Sequence, residues 1–161
     1  MSHLNYIKRA EGYKVEDALL NRIPVIVETL EEITKQNKWN FAYAEGKWTL
    51  KEVVQHLIDC ERIFSYRALH IARQDTSILS GFDENIYVDN AKGEDKEVSE
   101  LVEEYVCLMK SIYFEFKGFT KDALTLSNQV ANYVVTVEEI GKIMYGHSLH
   151  HLDVIKERYL D

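Results

Sequence analysis

The stretch "GHSLHHLDVI", residues 146–155, places three histidines in five positions, half of the six in the chain. On a helix, residues four apart lie one above the other, so His147 and His151 can aim their rings at one common atom. Imidazole nitrogen is a ligand for zinc and other divalent transition metals, and such a pair is a ready-made part of a metal site. At about 100° per residue, Ile140, Met144, His147, His151 and Ile155 fall close together on the helical wheel. Both histidines therefore belong to the apolar stripe, whereas His150 points off it toward solvent. Two imidazoles side by side in an apolar stripe are costly to hold without partners. Either hydrogen bonds inside the core satisfy them, or a metal ion gives them one shared partner. Ser148, not glutamate, follows His147. The His-Glu-x-x-His pattern of zinc proteases, with its general base, is absent.

A third ligand has to come from another element. His56 lies on the flank of an earlier helical stripe, in a row with Val53, Cys60, Ile63 and Arg67. A helix bundle lets facing helices aim such residues into one interior site. Three nitrogen ligands then leave positions open, as a catalytic metal requires. Glu61 falls inside the apolar stripe of the same helix, and a buried carboxylate needs a partner. It reads either as half of an ion pair with an arginine from another helix or as a group orienting a ligand histidine. Arg67, and Asp83 in "GFDEN", are further candidates for that supporting role. Asp83 and Glu84 could also supply a base from the loop, or be turn formers. Cys60, one turn from His56, is either a small buried residue or a fourth ligand or reactive thiol. His70 is expected at the surface or in a last helical turn, and His3 in a frayed N-terminus.

The elements that must position these residues are helical. Glycine and proline together number eight in 161 residues, too few breakers for anything but long helices. The first helical region spans roughly 15–37. Pro24 inside it is best placed in the first turn of a second helix. The second long helix opens at "TLKE", where Thr49 and Glu52 form a capping box, and runs to about Arg73. The third runs from about Lys96 to Phe116 on a stripe of Val98, Leu101, Tyr105, Leu108, Ile112 and Phe116. The fourth opens at "TVEE", with Thr136 and Glu139 as a second capping box, and continues to about Tyr159. Four amphipathic helices in one small domain, residues 1–161, predict an all-α four-helix bundle. The two long polar connections, 74–95 and 117–135, permit crossovers and are candidate lids. "NYVVTV" is β-prone and is expected to be a short extended piece.

Three segments together, "GKWTLKEVVQHLIDCERIFSYRALHIARQD", "GFDEN" and "GHSLHHLDVIKERY", resemble the DinB-like superfamily, named for DNA-damage-inducible proteins. The chain is similar in particular to the YfiT-type branch of metal-dependent hydrolases. The resemblance runs from about "YIKRAEGY" to the C-terminus and is weak between Asn90 and Thr136. It implies a four-helix bundle with long crossover connections and a divalent metal, often nickel or zinc, held by three histidines. The family's first ligand follows a tryptophan, then a serine or threonine, then a glutamate three residues on. Here these are Trp48, Thr49 and Glu52, leading to His56. The family's second and third ligands match His147 and His151.

The resemblance implies a metal-dependent enzyme of unassigned catalytic residues, acting on a small-molecule substrate. A hydrolase would use the metal to acidify water and polarise a carbonyl. Relatives also include transferases and isomerases that use low-molecular-weight thiols such as bacillithiol or mycothiol, with the metal stabilising the thiolate. A non-catalytic, metal-stabilised binding protein and a metal-free structural bundle are the remaining readings. The formal charge of −8 disfavours nucleic acid and anionic membrane surfaces as partners. No apolar run approaches the length of a membrane span, and "MSHLNYIKRA" lacks the apolar core of a signal peptide. With two cysteines and no disulfide framework, a cytoplasmic location is expected. The apolar surplus in "CLMKSIYFEFKGF" suggests a homodimer packed through helix faces.

Overall fold

Two capping boxes start the helices that carry the histidines. The Thr49 hydroxyl accepts from the Glu52 backbone N–H at 3.3 Å, and the Glu52 carboxylate accepts from the Thr49 N–H at 2.7 Å. Thr136 and Glu139 repeat the arrangement at 3.1 and 2.8 Å. Each box satisfies two backbone donors that a helix start leaves orphaned. A computed structural model describes residues 3–160. In chain order its elements are α1 (His3–Arg9), α2 (Val15–Lys35), α3 (Leu50–Ala72), α4 (Glu84–Ala91), α5 (Val98–Gly118), α6 (Lys121–Thr125), β1 (Ser127–Val130), β2 (Tyr133–Thr136) and α7 (Val137–Ile155). A short 3₁₀ turn lies between α4 and α5, and a π turn follows α7.

The long helices α2, α3, α5 and α7 form the four-helix bundle. Each of α2 and α3 packs against both α5 and α7. The consecutive helices α2 and α3 therefore occupy opposite corners, and so do α5 and α7. The neighbours α3 and α5 run parallel, with Arg62 meeting Glu104 and Ser65 meeting Glu115, so the chain between them must return along the bundle, and the long connections are folded. The 74–95 connection contains α4, and the 117–135 connection contains α6 and β1. The expected extended piece at "NYVVTV" is β2, paired antiparallel with β1. The Ala131 N–H donates to the Leu79 carbonyl at 2.9 Å, tying this hairpin to the loop before α4.

Two expectations are corrected. Pro24 does not start a second helix; it lies within a continuous α2. It sits on the exposed side, where water can reach the Leu20 carbonyl that its missing N–H leaves free. The N-terminus is not frayed over residues 3–9. It forms α1, which packs on α7, and His3 stacks on Tyr133 with ring centroids 4.5 Å apart. Gly146 makes that approach possible: a Cβ there would lie 2.6 Å from the Tyr6 Cα. Of the apolar residues in "CLMKSIYFEFKGF", Met109, Ile112 and Phe116 belong to the core, while Phe114 is 66% exposed. Among the described residues, no helix is long and apolar enough to cross a membrane.

The core is two apolar clusters separated by a polar seam. One centres on Ile26, Leu57, Leu101, Tyr105 and Leu152, the other on Leu19, Ile71, Ile112, Phe116 and Met144. Between them Arg22 of α2 meets Glu61 of α3 in a two-pronged ion pair, at 2.5 and 2.8 Å. Both side chains are essentially inaccessible to water. Arg22 also donates to the Ser148 hydroxyl at 2.9 Å and to the Met144 carbonyl at 3.0 Å, both on α7. Ser148 Oγ lies 3.1 Å from the Glu61 carboxylate. The ion-pair reading of Glu61 holds; its carboxylate is spent on Arg22 and Ser148, not on a histidine.

Removing one partner of a buried pair leaves an uncompensated charge. Glu61→Ala and Arg22→Ala should each cost about 3–5 kcal/mol in chemical denaturation. Replacing both by Arg22→Met with Glu61→Leu should cost clearly less than the sum of the two single changes, because no charge is stranded. Strictly additive losses in that cycle are the result incompatible with a coupled pair.

Candidate metal centre

The polar seam sets the register of α7 against α3, and the histidines follow from it. With Ser148 opposite Glu61 and the helices antiparallel, His147 and His151 face His56. The His56 and His147 Nε2 atoms are 3.3 Å apart. The His151 ring centroid lies 4.9 Å from that of His56 and 4.6 Å from that of His147. One ligand atom from each of the three lies within 4.8 Å of the others, a group able to hold a metal ion. His150 is absent from that group and partly exposed, as its place off the stripe predicts.

Aromatic rings line the outside of the triad. Trp48 packs on His56 with centroids 5.0 Å apart. Phe64 and Tyr6 meet His147 edge-on at 5.8 and 5.4 Å. Trp48 is itself held from behind, where the Tyr159 hydroxyl donates to its carbonyl at 2.8 Å. On the remaining side His151 is partly open. It lines a cleft of about 260 Å³ with Tyr43, Lys47, Trp48, Asn85 and Tyr159. Tyr6 was not recognisable as a site residue from its own surroundings. The available signal was Gly146, a residue without a side chain next to His147, which marks a close helix crossing.

Burial decides the charge of all three rings. It lowers the His56 pKa to about 4, with the Glu84 charge working the other way. Burial, and then the neighbouring His56 and His150, lower His151 to about 3. Burial and the other histidines hold His147 well below the ordinary value. The rings are thus neutral near pH 7 and present lone pairs, the form in which imidazole binds a metal. The donor set also fits an ion geometrically. A tetrahedral centre with bonds of about 2.0–2.1 Å separates two nitrogens by about 3.3–3.4 Å, which matches the His56–His147 spacing. The buried His147 Nδ1 has no hydrogen-bond partner in the protein; it is the nitrogen opposite the Nε2 that faces His56.

The supporting residues expected around the ligands are placed elsewhere. Asp83 caps α4, accepting from the Asn85 N–H at 2.9 Å. Arg67 donates to the Ser80 carbonyl at 2.7 Å. Together with Glu61, none of them hydrogen-bonds a histidine among the described contacts. Each found a nearer partner in an element that sequence spacing could not locate. His70 is not at the surface: it is 5% exposed, in the last turn of α3, and its Nε2 lies 2.8 Å from the Ser77 hydroxyl. Cys60 is the small buried residue of its two readings. Its Sγ is 3.7 Å from His56 Nδ1, and burial pushes the thiol strongly up, away from the reactive thiolate.

The depressed pKa values carry a stability consequence for the metal-free protein. In the unfolded chain each imidazole takes up a proton near pH 6.5, whereas folded His56 and His151 resist it to about 4 and 3. The unfolded state therefore binds more protons, and stability falls as pH drops below about 6.5. Denaturation of the metal-free protein should show a loss on the order of 1–2 kcal/mol from His56 alone by about pH 5. That loss should shrink in His56→Gln; an unchanged pH profile in that variant is the contrary result.

The chain was compared with known proteins. A family model described as the DinB superfamily matches residues 18–155. The structure is similar to that of YfiT from Bacillus subtilis, described as a probable metal-dependent hydrolase with an unusual four-helix bundle topology. That likeness has a TM-score of 0.77 at 19% sequence identity and covers 89% of this chain and 83% of that one. At such an identity it shows the shared fold. No curated protein matches the chain. The family match spans α3 and α7 with all three clustered histidines, and the chain belongs to the DinB superfamily.

Proposed function

We propose that this protein is a metal-dependent enzyme, acting as a hydrolase on a small molecule. In this reading His56, His147 and His151 hold one divalent ion, nickel or zinc. The observation that carries it is the convergence of three neutral imidazoles, one of which opens onto a cleft. A structural metal site is closed by protein ligands on every side; a catalytic one keeps a position for water or substrate. The cleft beside His151 supplies that access and argues against a purely structural ion.

When bound, such an ion is a Lewis acid that polarises a substrate carbonyl and makes water more acidic. The chain's own residues do the rest. Trp48, Phe64 and Tyr6 fix the imidazole planes and keep bulk water from their flanks. Tyr43, Trp48 and Tyr159 give the substrate an apolar wall, and Asn85 and Lys47 give it polar contacts at the mouth. Glu84 begins α4, and its charge bears on His56, Cys60 and Tyr6. With Asp83 committed to capping, Glu84 is the carboxylate left to accept a proton. The Cys60 thiol is too deeply buried to serve as nucleophile, so any thiol chemistry here needs an external thiol.

Elemental analysis of the purified protein tests the ion. His→Ala at position 56, 147 or 151 should drop metal content from about one per chain to near zero, because two imidazoles rarely hold a divalent ion against water. His150→Ala should leave it nearly unchanged. Loss of metal in His150→Ala with retention in His151→Ala would overturn the assignment. The reaction is tested with a panel of small esters and amides, run beside a conjugation assay with bacillithiol. Hydrolysis should require the metal, and Glu84→Gln should lower kcat by about 10²–10⁴-fold with metal content intact. Conjugation without hydrolysis would replace the hydrolase reading by a thiol transferase at the same histidines.

A further inference from the structure

Arg67 is a buried cation without a counter-charge. It is 5% exposed. Of the five N–H donors of a guanidinium, one is used among the described residues, on the Ser80 carbonyl at 2.7 Å. The rings of Phe82 and Phe64 flank it, their centroids 5.5 and 6.0 Å from its central carbon. Among the described residues, no carboxylate forms an ion pair with it. Burial works against its charge, and the groups that offset this are Tyr133, Cys60 and Tyr87, none of them a carboxylate. The other buried arginine, Arg22, is answered by Glu61 in the core, and Arg62, on the same helix as Arg67, by Glu104 at 2.6 Å. The remaining donors of Arg67 are not sealed in the core but reach the space beside it, since no Arg67 atom is among the buried polar atoms left without a partner.

That space is an open cleft of about 460 Å³ between α3, the loop before α4 and α4 itself, lined by Ile63, Tyr66, Ile78, Phe82 and Tyr87 together with Arg67. This is the size and character of a small-molecule pocket, an apolar and aromatic lining with a few placed polar groups. It is not the cleft beside His151, and no residue lines both. Phe64, which packs on His147 and on Arg67, lies between the triad and the guanidinium.

The geometry points to a second binding site in this cleft, for a small organic anion. The Arg67 guanidinium meets the carboxylate or phosphate, and Tyr66, Phe82 and Tyr87 take the carbon skeleton. A guanidinium held between two rings presents its free donors in a fixed fork, the arrangement that suits planar or tetrahedral oxyanions. The site uses no metal ligand and stands independently of the hydrolase reading.

The test uses the full chain, stripped of metal and dialysed free of chelator. Benzoate, phenyl phosphate and neutral benzamide are titrated by calorimetry, with backbone amide shifts followed by nuclear magnetic resonance. Both anions, or one of them, should bind saturably and shift residues 62–67 and 78–87. Benzamide should bind at least roughly tenfold more weakly, since it lacks the charge, and added salt should weaken the anion. The preference between the two anions names the headgroup. Arg67→Met should lose roughly tenfold or more in anion affinity, while Arg62→Gln, whose charge already meets Glu104, loses less. Benzamide binding as tightly as benzoate would overturn the proposal. So would shifts confined to the histidine cleft, or full affinity in a folded Arg67→Met. If Arg67→Met does not fold, the comparison of benzoate with benzamide on the unaltered protein decides alone. No anion binding there means that Arg67 is only a clamp on Ser80.

Discussion

The buried contact of Arg22, Glu61 and Ser148 is the constraint on which the rest of the structure depends. Apolar stripes specify that helices pack, but they tolerate sliding by a turn, because one leucine replaces another at modest cost. A charge pair sealed from water tolerates no such slip, since any shift strands a charge. Arg22 reaches across the bundle from α2 to α3 and binds α7 through Ser148 and the Met144 carbonyl. Ser148 adjoins His147, and Glu61 lies five residues beyond His56. The seam that locks three helices in register is thereby the device that brings the imidazoles face to face.

Desolvation then divides the titratable groups near the centre by chemistry. For imidazole, burial removes the proton and leaves a neutral nitrogen ready to act as a ligand. For the Cys60 thiol, the same burial keeps the proton on and suppresses reactivity. One low-dielectric environment therefore turns His56, His147 and His151 on as donors and turns Cys60 off, although Cys60 sits one turn from His56. The partial opening at His151 is the exception to this sealing, and it is where a substrate can arrive. The strongly acidic composition bears on partners at long range; at the centre, local burial outweighs it.

The crossovers matter as much as the helices. Because the neighbouring helices α3 and α5 run parallel, the chain must travel back over the bundle between them, and it folds as it does so. Asp83 caps α4, which brings Glu84 and Asn85 toward the histidines. The loop before α4 is tied to the β-hairpin through Leu79 and Ala131 and to α3 through Arg67 and Ser80. These bonds leave two separate spaces against α3, one at His151 and one at Arg67. A tighter bundle with short connections would have neither.

What the sequence determined by itself is local. Capping at Thr49 and Thr136 depends on residues three apart, and the inward turn of His147 and His151, with His150 left out, depends on a period of 3.6 residues. Both are complete within a few turns of chain, so both were legible, as was the flank position of His56 on its own stripe, with which the family resemblance agrees. The β-prone character of "NYVVTV" was equally local. What only the tertiary structure decided is who meets whom. Glu61 needed a partner by its burial, but Arg22 lies 39 residues away and no spacing rule selects it. His70 lies in the last helical turn, one of its two expected places, but like Arg67 it is covered by the folded loop at 77–82. The N-terminal helix is not legible in the sequence because it packs on α7, at the other end of the chain. Pro24 was misjudged because its cost depends on which side of α2 faces water. Local geometry is encoded by neighbours in the chain, whereas burial, and the charges and cavities that follow from it, belongs to neighbours in space.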